Sequence, residues 1–272
     1  MRISVRGLTF DVSVEGPTDG PAVLLLHGFP QNATEWQRVL PALHAAGLQT
    51  VAPNQRGYSP GARPAEPEAY EMKECVADAV ALLDELGFEQ AHIVGHDWGA
   101  AVAWRLAAEY PHRVQTLTAV SVPHTNAFGA ALASDDDQKQ RSSYMTLFRQ
   151  PGHAEDVLLA DDGARLRAMF GGCPSELVPD YVEPMLDRSA LTAALNWYRA
   201  MSRDSLACPD VTVPTTYVWG DNDLAVGPTA ARGCARHVSA DYRFVALTGV
   251  SHWIPDEVPG AMADAILARI ED

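Results

Sequence analysis

The amino-acid sequence predicts an α/β protein: a mostly parallel sheet flanked by helices and interrupted by one helical insertion. Continuous apolar runs such as Ala22 to Leu26 are typical of strands that are covered on both faces. Amphipathic helical patterns lie between these runs, and strands that alternate with helices favour a parallel sheet. The alternation stops after residue 122 and resumes near residue 210, which indicates an insertion between two strands.

The elements follow in order along the chain. The first half predicts strands at Arg2 to Val5, Thr9 to Val14, Ala22 to Leu26, Thr50 to Ala52, Ala91 to Val94 and Val114 to Val120. A helix before Gly87 has one apolar face, formed by Met72, Val76, Val80, Leu83 and Leu86. The last strands are predicted at Thr215 to Trp219 and Arg243 to Leu247, before an amphipathic helix that places Val258, Met262, Ala265, Ile266 and Ile270 inward. We expect one core domain, 1–122 with 210–272, and a helical lid at 123–209.

Composition excludes several classes of protein. The chain has 272 residues and a net charge of −15, and it shows no basic cluster that could bind a nucleic acid. No apolar run approaches the roughly 18 residues of a membrane span, and the segment Met1 to Phe10 lacks the apolar core of a signal peptide. We therefore expect a cytoplasmic protein that binds neither nucleic acid nor membrane. Its four scattered cysteines, without a CxxC pair, are expected to be free, half-buried thiols.

Two polar patterns could be interpreted as metal sites, but each has a simpler interpretation. The acidic run at residues 135–137 precedes a helical stretch, where capping and complementarity to the helix dipole account for it. His92 and His96 are four residues apart, but they lie on a strand and its exit turn, with no further ligands apparent. We expect no metal and no cofactor.

The segment from Gly95 to Ala101 is the most informative one. It follows an apolar strand and precedes a helix-forming run, which is the strand, tight turn, helix context of a nucleophile elbow. Asp97 occupies the position of the nucleophile. A carboxylate can attack a saturated carbon and leave an alkyl ester on the enzyme. The alternative, in which Asp97 only caps the helix, would not require glycine on both sides.

Further catalytic candidates come from other strand ends. The segment from His27 to Pro30 follows an apolar strand at the carboxyl edge of the sheet, so the amides of Phe29 and Trp98 are candidates for an oxyanion hole. His252 lies between the last strand and the last helix, in the order nucleophile, acid, histidine that suits an elbow fold. Two aspartates, Asp221 and Asp223, compete for the role of the orienting acid, and Asp223 is preferred.

These motifs resemble those of the epoxide hydrolases of the α/β-hydrolase superfamily, with the haloalkane dehalogenases as close relatives. The resemblance covers nearly the whole chain and includes Arg56 to Ser59 besides the segments above. Residues 196–199, Asn-Trp-Tyr-Arg, look like the lid motif of epoxide hydrolases, and Tyr144 lies in a segment similar to the one that carries the partner tyrosine. The resemblance implies that Tyr144 and Tyr198 protonate the epoxide oxygen, and that the peptide between Phe29 and Pro30 is cis.

The favoured hypothesis is an epoxide hydrolase that forms a vicinal diol through an alkyl-enzyme ester and water activated by histidine. A haloalkane dehalogenase with the same Asp, His and Asp, and a non-catalytic lidded binding protein, stay open as alternatives. The expected partners are a small apolar epoxide and water. The oligomeric state, including a homodimer, stays open as well. The candidates for the lining of an apolar pocket are Phe29, Trp98, Phe128, Met145 and Trp253.

Overall fold

A computed structural model describes residues 1–202 and 207–271 of the chain. In this described part, eight strands form one sheet: β1 Arg2–Val5, β2 Leu8–Glu15, β3 Ala22–Leu26, β4 Gln49–Pro53, β5 Ala91–His96, β6 Val114–Val120, β7 Thr215–Gly220 and β8 Tyr242–Leu247. Every strand predicted from the sequence is present, within one or two residues at each end.

The order of the strands in the sheet is β1-β2-β4-β3-β5-β6-β7-β8. The six strands β4, β3, β5, β6, β7 and β8 pair in parallel. The strands β1 and β2 form an antiparallel hairpin, and β2 also pairs antiparallel with β4. Because β3 and β5 are neighbours, the loops that follow them, which begin with His27 and Asp97, meet at one edge of the sheet. This arrangement explains why β3 is apolar throughout and why both β3 and β5 are buried at every position.

Helices cover both faces of the sheet: α1 Leu40–Ala45, α2 Met72–Glu85, α3 Trp98–Glu109, α10 Pro228–Gly233, α11 Ile254–Glu257 and α12 Pro259–Ile270. One core cluster packs α2 and α3 against one face, while α1 and α12 close the other face. In α12, Met262 and Ile266 are fully buried, and the other predicted inward residues are partly buried against the same cluster. The predicted α/β architecture is confirmed.

Between β6 and β7 the described chain is helical: α4 Thr125–Ser134, α5 Asp136–Arg141, α6 Met145–Phe148, α7 His153–Ala168, α8 Val178–Met185 and α9 Arg188–Arg199. A turn at residues 160–163 with non-helical backbone angles divides α7 into two pieces. In the first piece Glu155 is buried, and its carboxylate accepts a hydrogen bond of 2.9 Å from the guanidinium of Arg199 on α9. This ion pair links α7 to α9.

The structure also bears on the smaller sequence predictions. All four cysteines are free, but they are buried rather than half-buried. Asp135 caps α5 by accepting a hydrogen bond from the Asp137 amide, which confirms the capping interpretation of the acidic run. His92 contacts the Thr116 hydroxyl at 2.9 Å. Within residues 1–202 and 207–271, no helix is long and apolar enough to cross a membrane.

Candidate active site

Asp97 stands at the elbow between β5 and α3, and its backbone is strained. Its φ of 50° and ψ of −118° lie outside the regions that residues with a side chain normally adopt. The side chain makes no capping hydrogen bond to α3, so the alternative that Asp97 serves only as a helix cap is not supported. A strained polar residue at a strand end is the kind of outlier that suggests function.

Glycines permit this close packing. A Cβ atom added at Gly95 would lie 2.2 Å from the carbonyl oxygen of Gly99, and one added at Gly99 would lie 2.0 Å from the carbonyl oxygen of Leu26. Both distances are far below van der Waals contact, so no larger residue fits without movement of the backbone. The elbow therefore brings α3 directly against β3, and Asp97 directly against the loop after β3.

The two carboxylate oxygens of Asp97 have different surroundings. Oδ1 accepts a hydrogen bond from the amide of Phe29 at 2.8 Å. Oδ2 faces the imidazole of His252, whose Nε2 lies 3.5 Å away. Trp98, the other candidate for the oxyanion hole, is the first residue of α3, where backbone amides have no partner within the helix. The peptide between Phe29 and Pro30 is cis, as the resemblance implied.

His252 connects Asp97 to a second buried carboxylate. Its Nδ1 lies 3.0 Å from Asp223 Oδ2 and 3.1 Å from Asp223 Oδ1. The hydroxyl of Ser121, at the end of β6, donates to Asp223 Oδ2 at 2.6 Å and also lies 2.8 Å from Nδ1 of His252. The sequence analysis did not single out Ser121; its position directly after an apolar strand, at the same edge as the elbow, was the available signal.

The geometry distinguishes Asp223 from Asp221 as the candidate for the acid that orients His252. Asp223 is fully buried and faces His252, and its Oδ1 also accepts from the amides of Ala225 and Val226. Asp221 is exposed and accepts a hydrogen bond from the amide of Gly249, so it closes the loop that carries His252. Only Asp223 is placed to orient the imidazole.

The electrostatics of the three groups are coupled. Burial alone would lower the pKa of His252, but the charge and hydrogen bonding of Asp223, followed by those of Asp97, raise it to about 10. Burial acts to raise the pKa of both carboxyls, and the imidazole outweighs it, which holds the pKa of Asp97 and of Asp223 below the usual range. At neutral pH the site therefore holds two carboxylates around one imidazolium.

Tyr144 and Tyr198 lie opposite Asp97. Their rings are in edge contact, with centroids 6.2 Å apart, and Tyr198 also packs edge-on against Phe29. Burial, more than any other cause, raises the pKa of both phenols, and the negative charge of Asp97 adds to it. Both side chains therefore carry their protons at neutral pH and can donate them to a ligand that lies between them and Asp97.

The tyrosine pair and Asp97 stand between two cavities. The larger one has a volume of about 340 Å³ and is lined by the predicted residues Phe29 and Trp253. The smaller one, of about 50 Å³, is lined by Trp98, Phe128 and Met145. Thus all five predicted lining residues border a cavity that contains Asp97, and each cavity is mostly apolar.

Behind His252 lies a buried polar pair that the sequence analysis did not identify. His96 Nε2 lies 2.9 Å from the backbone oxygen of His252, and a carbonyl only accepts, so this nitrogen carries the proton. Burial lowers the pKa of His96 to about 4, so the ring is neutral and its Nδ1 is an acceptor. Glu35 Oε2 lies 3.2 Å from that Nδ1, which accepts a hydrogen bond when the Glu35 carboxyl is protonated. Burial, with the nearby charge of Asp256, raises the pKa of Glu35, in agreement with a neutral acid.

Comparisons with known proteins agree with this geometry. A family model described as the alpha/beta hydrolase fold matches residues 21–259. The AB hydrolase superfamily protein YfhM of Bacillus subtilis is 33% identical, with 99% of this chain and 97% of the relative covered. Epoxide hydrolase A of Mycobacterium tuberculosis is 32% identical over 97% of this chain and 95% of its own. The crystal structure of epoxide hydrolase A from Mycobacterium thermoresistibile superimposes with a TM-score of 0.88 at 30% identity, covering 100% of this chain and 97% of that one. This chain therefore belongs to the α/β-hydrolase fold family and, within it, groups with the epoxide hydrolases.

Proposed function

We propose that this chain hydrolyses epoxides to vicinal diols through an ester of Asp97. One observation carries the proposal: two protonated phenols, Tyr144 and Tyr198, border the same apolar cavity as a strained, ionised carboxylate. An epoxide needs a nucleophile on one side and an acid for its oxygen on the other, and the cavity offers both. The names of the relatives described above support the same reaction.

In the first step, an oxygen of Asp97 forms a bond to an epoxide carbon, and the carbon–oxygen bond of the ring breaks. The electron pair moves to the ring oxygen, which takes a proton from Tyr144 or Tyr198. Oδ2 is the attacking atom in this proposal, because Oδ1 is held by the Phe29 amide. Proton donation of this kind is typically worth about 10²- to 10⁴-fold in rate.

The first step leaves a tyrosinate, and the imidazolium of His252 gives it a proton, so that the phenol is restored and the imidazole becomes neutral. In the second step, the neutral imidazole of His252 takes a proton from water, and the hydroxide adds to the carboxyl carbon of Asp97. Negative charge collects on Oδ1, where the Phe29 amide stabilises it. The acyl bond to the diol oxygen then breaks, and His252 returns its proton to that oxygen. The new carboxyl group of Asp97 gives its proton to His252, which restores the carboxylate and the imidazolium. Because the ester is neutral, one of the two charges that raise the pKa of His252 is absent while the ester exists. The imidazolium therefore loses its proton to the tyrosinate more readily at that stage.

We also propose that residues 123–209 act as a lid on a core formed by 1–122 and 210–272. The support is that Tyr144 and Tyr198 both come from the helices between β6 and β7, whereas Asp97, Asp223 and His252 follow strands of the sheet. Burial of a substrate between the two parts would exclude water from the first step.

The dehalogenase alternative would use the Trp98 indole as a halide donor. In the structure the Trp98 ring packs edge-on against the Tyr198 ring, with centroids 5.1 Å apart. The indole thus lies against a phenol that serves as the acid in the epoxide reaction, which favours that reaction over halide release. A non-catalytic binding protein would have no need of the arrangement of Asp97, His252 and Asp223. Turnover of an epoxide, a chloroalkane or an activated ester would exclude this alternative.

The decisive experiment is a single turnover of an aryl epoxide in water enriched in ¹⁸O. We expect the label in the peptide that contains Asp97 and an unlabelled first diol, because water attacks the carboxyl carbon. The Asp221 peptide serves as the internal control. Label in the first diol with an unlabelled Asp97 peptide would contradict the ester mechanism. A parallel assay of the epoxide, a chloroalkane and an activated ester, with diol, halide and acid measured separately, distinguishes the alternatives.

A further inference from the structure

The rim of the larger cavity has an unusual combination of side chains. Apart from Asp97 and His252 at its inner end, Arg165 is the one charged side chain among the described residues that line it. Leu224, which follows Asp223 directly in the chain, also lines this cavity, and it is 64% exposed. A cation and an exposed aliphatic side chain thus border an apolar cavity whose far end holds the reacting groups.

The guanidinium of Arg165 has no partner in the part of the chain that the structure describes. Arg165 lies in the second piece of α7, and its side chain is exposed. Throughout residues 1–202 and 207–271 it has neither an ion pair nor a hydrogen bond, whereas its neighbour Arg167 lies 3.7 Å from Asp162. In a chain with a net charge of −15, acidic side chains are plentiful, so an arginine without one at this cavity is available to a ligand.

We propose that Arg165 selects epoxides that carry a carboxylate at the end of an apolar chain. The epoxide ring would lie at Asp97, the apolar chain would fill the cavity of about 340 Å³, and the carboxylate would reach the guanidinium at the rim. A guanidinium matches the two oxygens of a carboxylate with two parallel donors. Leu224 would cover the chain where it leaves the cavity. This inference rests on the proposed epoxide hydrolysis and specifies its substrate class.

The test compares two probes that differ in one negative charge and one methyl group, 10,11-epoxyundecanoate and its methyl ester. Their diol formation is measured with the unaltered protein, with Arg165→Gln and with Arg165→Glu. Arg167→Gln is the matched control, because it removes the same charge from the same helix without touching the cavity. Exposed ion pairs are weak, so we expect Arg165→Gln to raise KM for the carboxylate by about two- to fivefold. KM for the ester and kcat for both probes should stay unchanged.

Charge reversal and salt give further readouts. Arg165→Glu should make the ester the better substrate, and 0.5 M salt should weaken the preference of the unaltered protein for the carboxylate. An equal KM for the two probes in the unaltered protein, a preference that survives Arg165→Glu, or an equal effect of Arg167→Gln would each overturn the inference. Diol formation from the methyl ester shows that a variant is folded and hydrolyses epoxides, independently of any contact with a carboxylate. Diol from neither probe in the unaltered protein would contradict epoxide hydrolysis itself.

Discussion

Ser121 and Asp223 are joined by a hydrogen bond of 2.6 Å between residues that are 102 positions apart in the chain. Ser121 directly follows β6 and has a φ of +63°, and its hydroxyl also lies 2.8 Å from Nδ1 of His252. The serine thus completes a buried group in which Asp223 is held by His252, by Ser121 and by two backbone amides. A positioning role for Ser121 follows from this geometry.

Replacement of Ser121 by alanine should slow turnover. A hydrogen bond to a charged group is worth about 1.5–3 kcal/mol, and we expect kcat to fall by about tenfold because the imidazole is held less well. Rapid-mixing kinetics should show a larger effect on ester hydrolysis than on alkylation of Asp97. Ser121→Gly is the control for backbone strain, since it removes the hydroxyl and relieves the positive φ. Normal activity of the glycine variant would assign the effect to strain instead.

Replacement of His252 by glutamine should trap the alkyl-enzyme. The first step uses Asp97 and the tyrosines, whereas activation of water needs the imidazole 3.5 Å from Asp97 Oδ2. Mass spectrometry of the intact protein after addition of an epoxide should show an increase by one substrate. His112→Gln, on the surface, should remain unmodified and active. An inactive His252→Gln protein of unchanged mass would mean that His252 acts before the ester forms.

We expect the phenols of Tyr144 and Tyr198 to act together as the proton donors to the epoxide oxygen. Either Tyr144→Phe or Tyr198→Phe should slow alkylation of Asp97 and leave part of the activity, and the double variant should lose about 10²- to 10⁴-fold. The fold should survive, since only hydroxyls are removed, and Tyr110→Phe at the end of α3 controls for that change. Diol formation and melting temperature are the two measurements. Near-normal diol formation by the double variant would rule out the proposed acid.

Glu35 should make stability depend on pH in a defined direction. Burial raises its pKa in the folded protein above the ordinary value of 4.5. The folded state therefore holds the proton more tightly than the unfolded chain. Above pH 4.5 the contribution of Glu35 to the free energy of unfolding falls as the pH rises, by up to about 1.4 kcal/mol per pH unit, until the raised pKa is passed.

Glu35→Gln keeps a donor for Nδ1 of His96 and removes the titration. Urea unfolding of this variant and of the unaltered protein should therefore give similar stabilities near pH 4.5, and the glutamine variant should become the more stable of the two as the pH rises above 4.5. Glu68→Gln, at an exposed position, provides the control for loss of a surface charge. A stability difference that is constant over this pH range would show that Glu35 is ionised in the fold.

The sequence by itself determined the layers and the elbow. Apolar runs fix β3 and β5 because a strand that is buried on both faces tolerates little else. Gly95 and Gly99 fix the turn at Asp97, because a Cβ atom added at Gly95 would lie 2.2 Å, and one added at Gly99 2.0 Å, from a backbone oxygen. The order of Asp97, Asp223 and His252 after parallel strands places all three loops at one edge, so their meeting could be predicted from the topology alone.

Tertiary structure decided the contacts that join distant parts of the chain. Asp221 and Asp223 are two residues apart, and only the path of the loop after β7 sends one to Gly249 and the other to His252. The hydrogen bond from the Glu35 carboxyl to His96 depends on burial, which raises the pKa of Glu35 and which no local pattern reveals. The same holds for Arg165, whose exposure at the rim of an apolar cavity follows from how α7 packs against α8 and α9. Side-chain direction and solvent exposure are properties of the packed molecule, because they are set by neighbours that lie far away in the sequence.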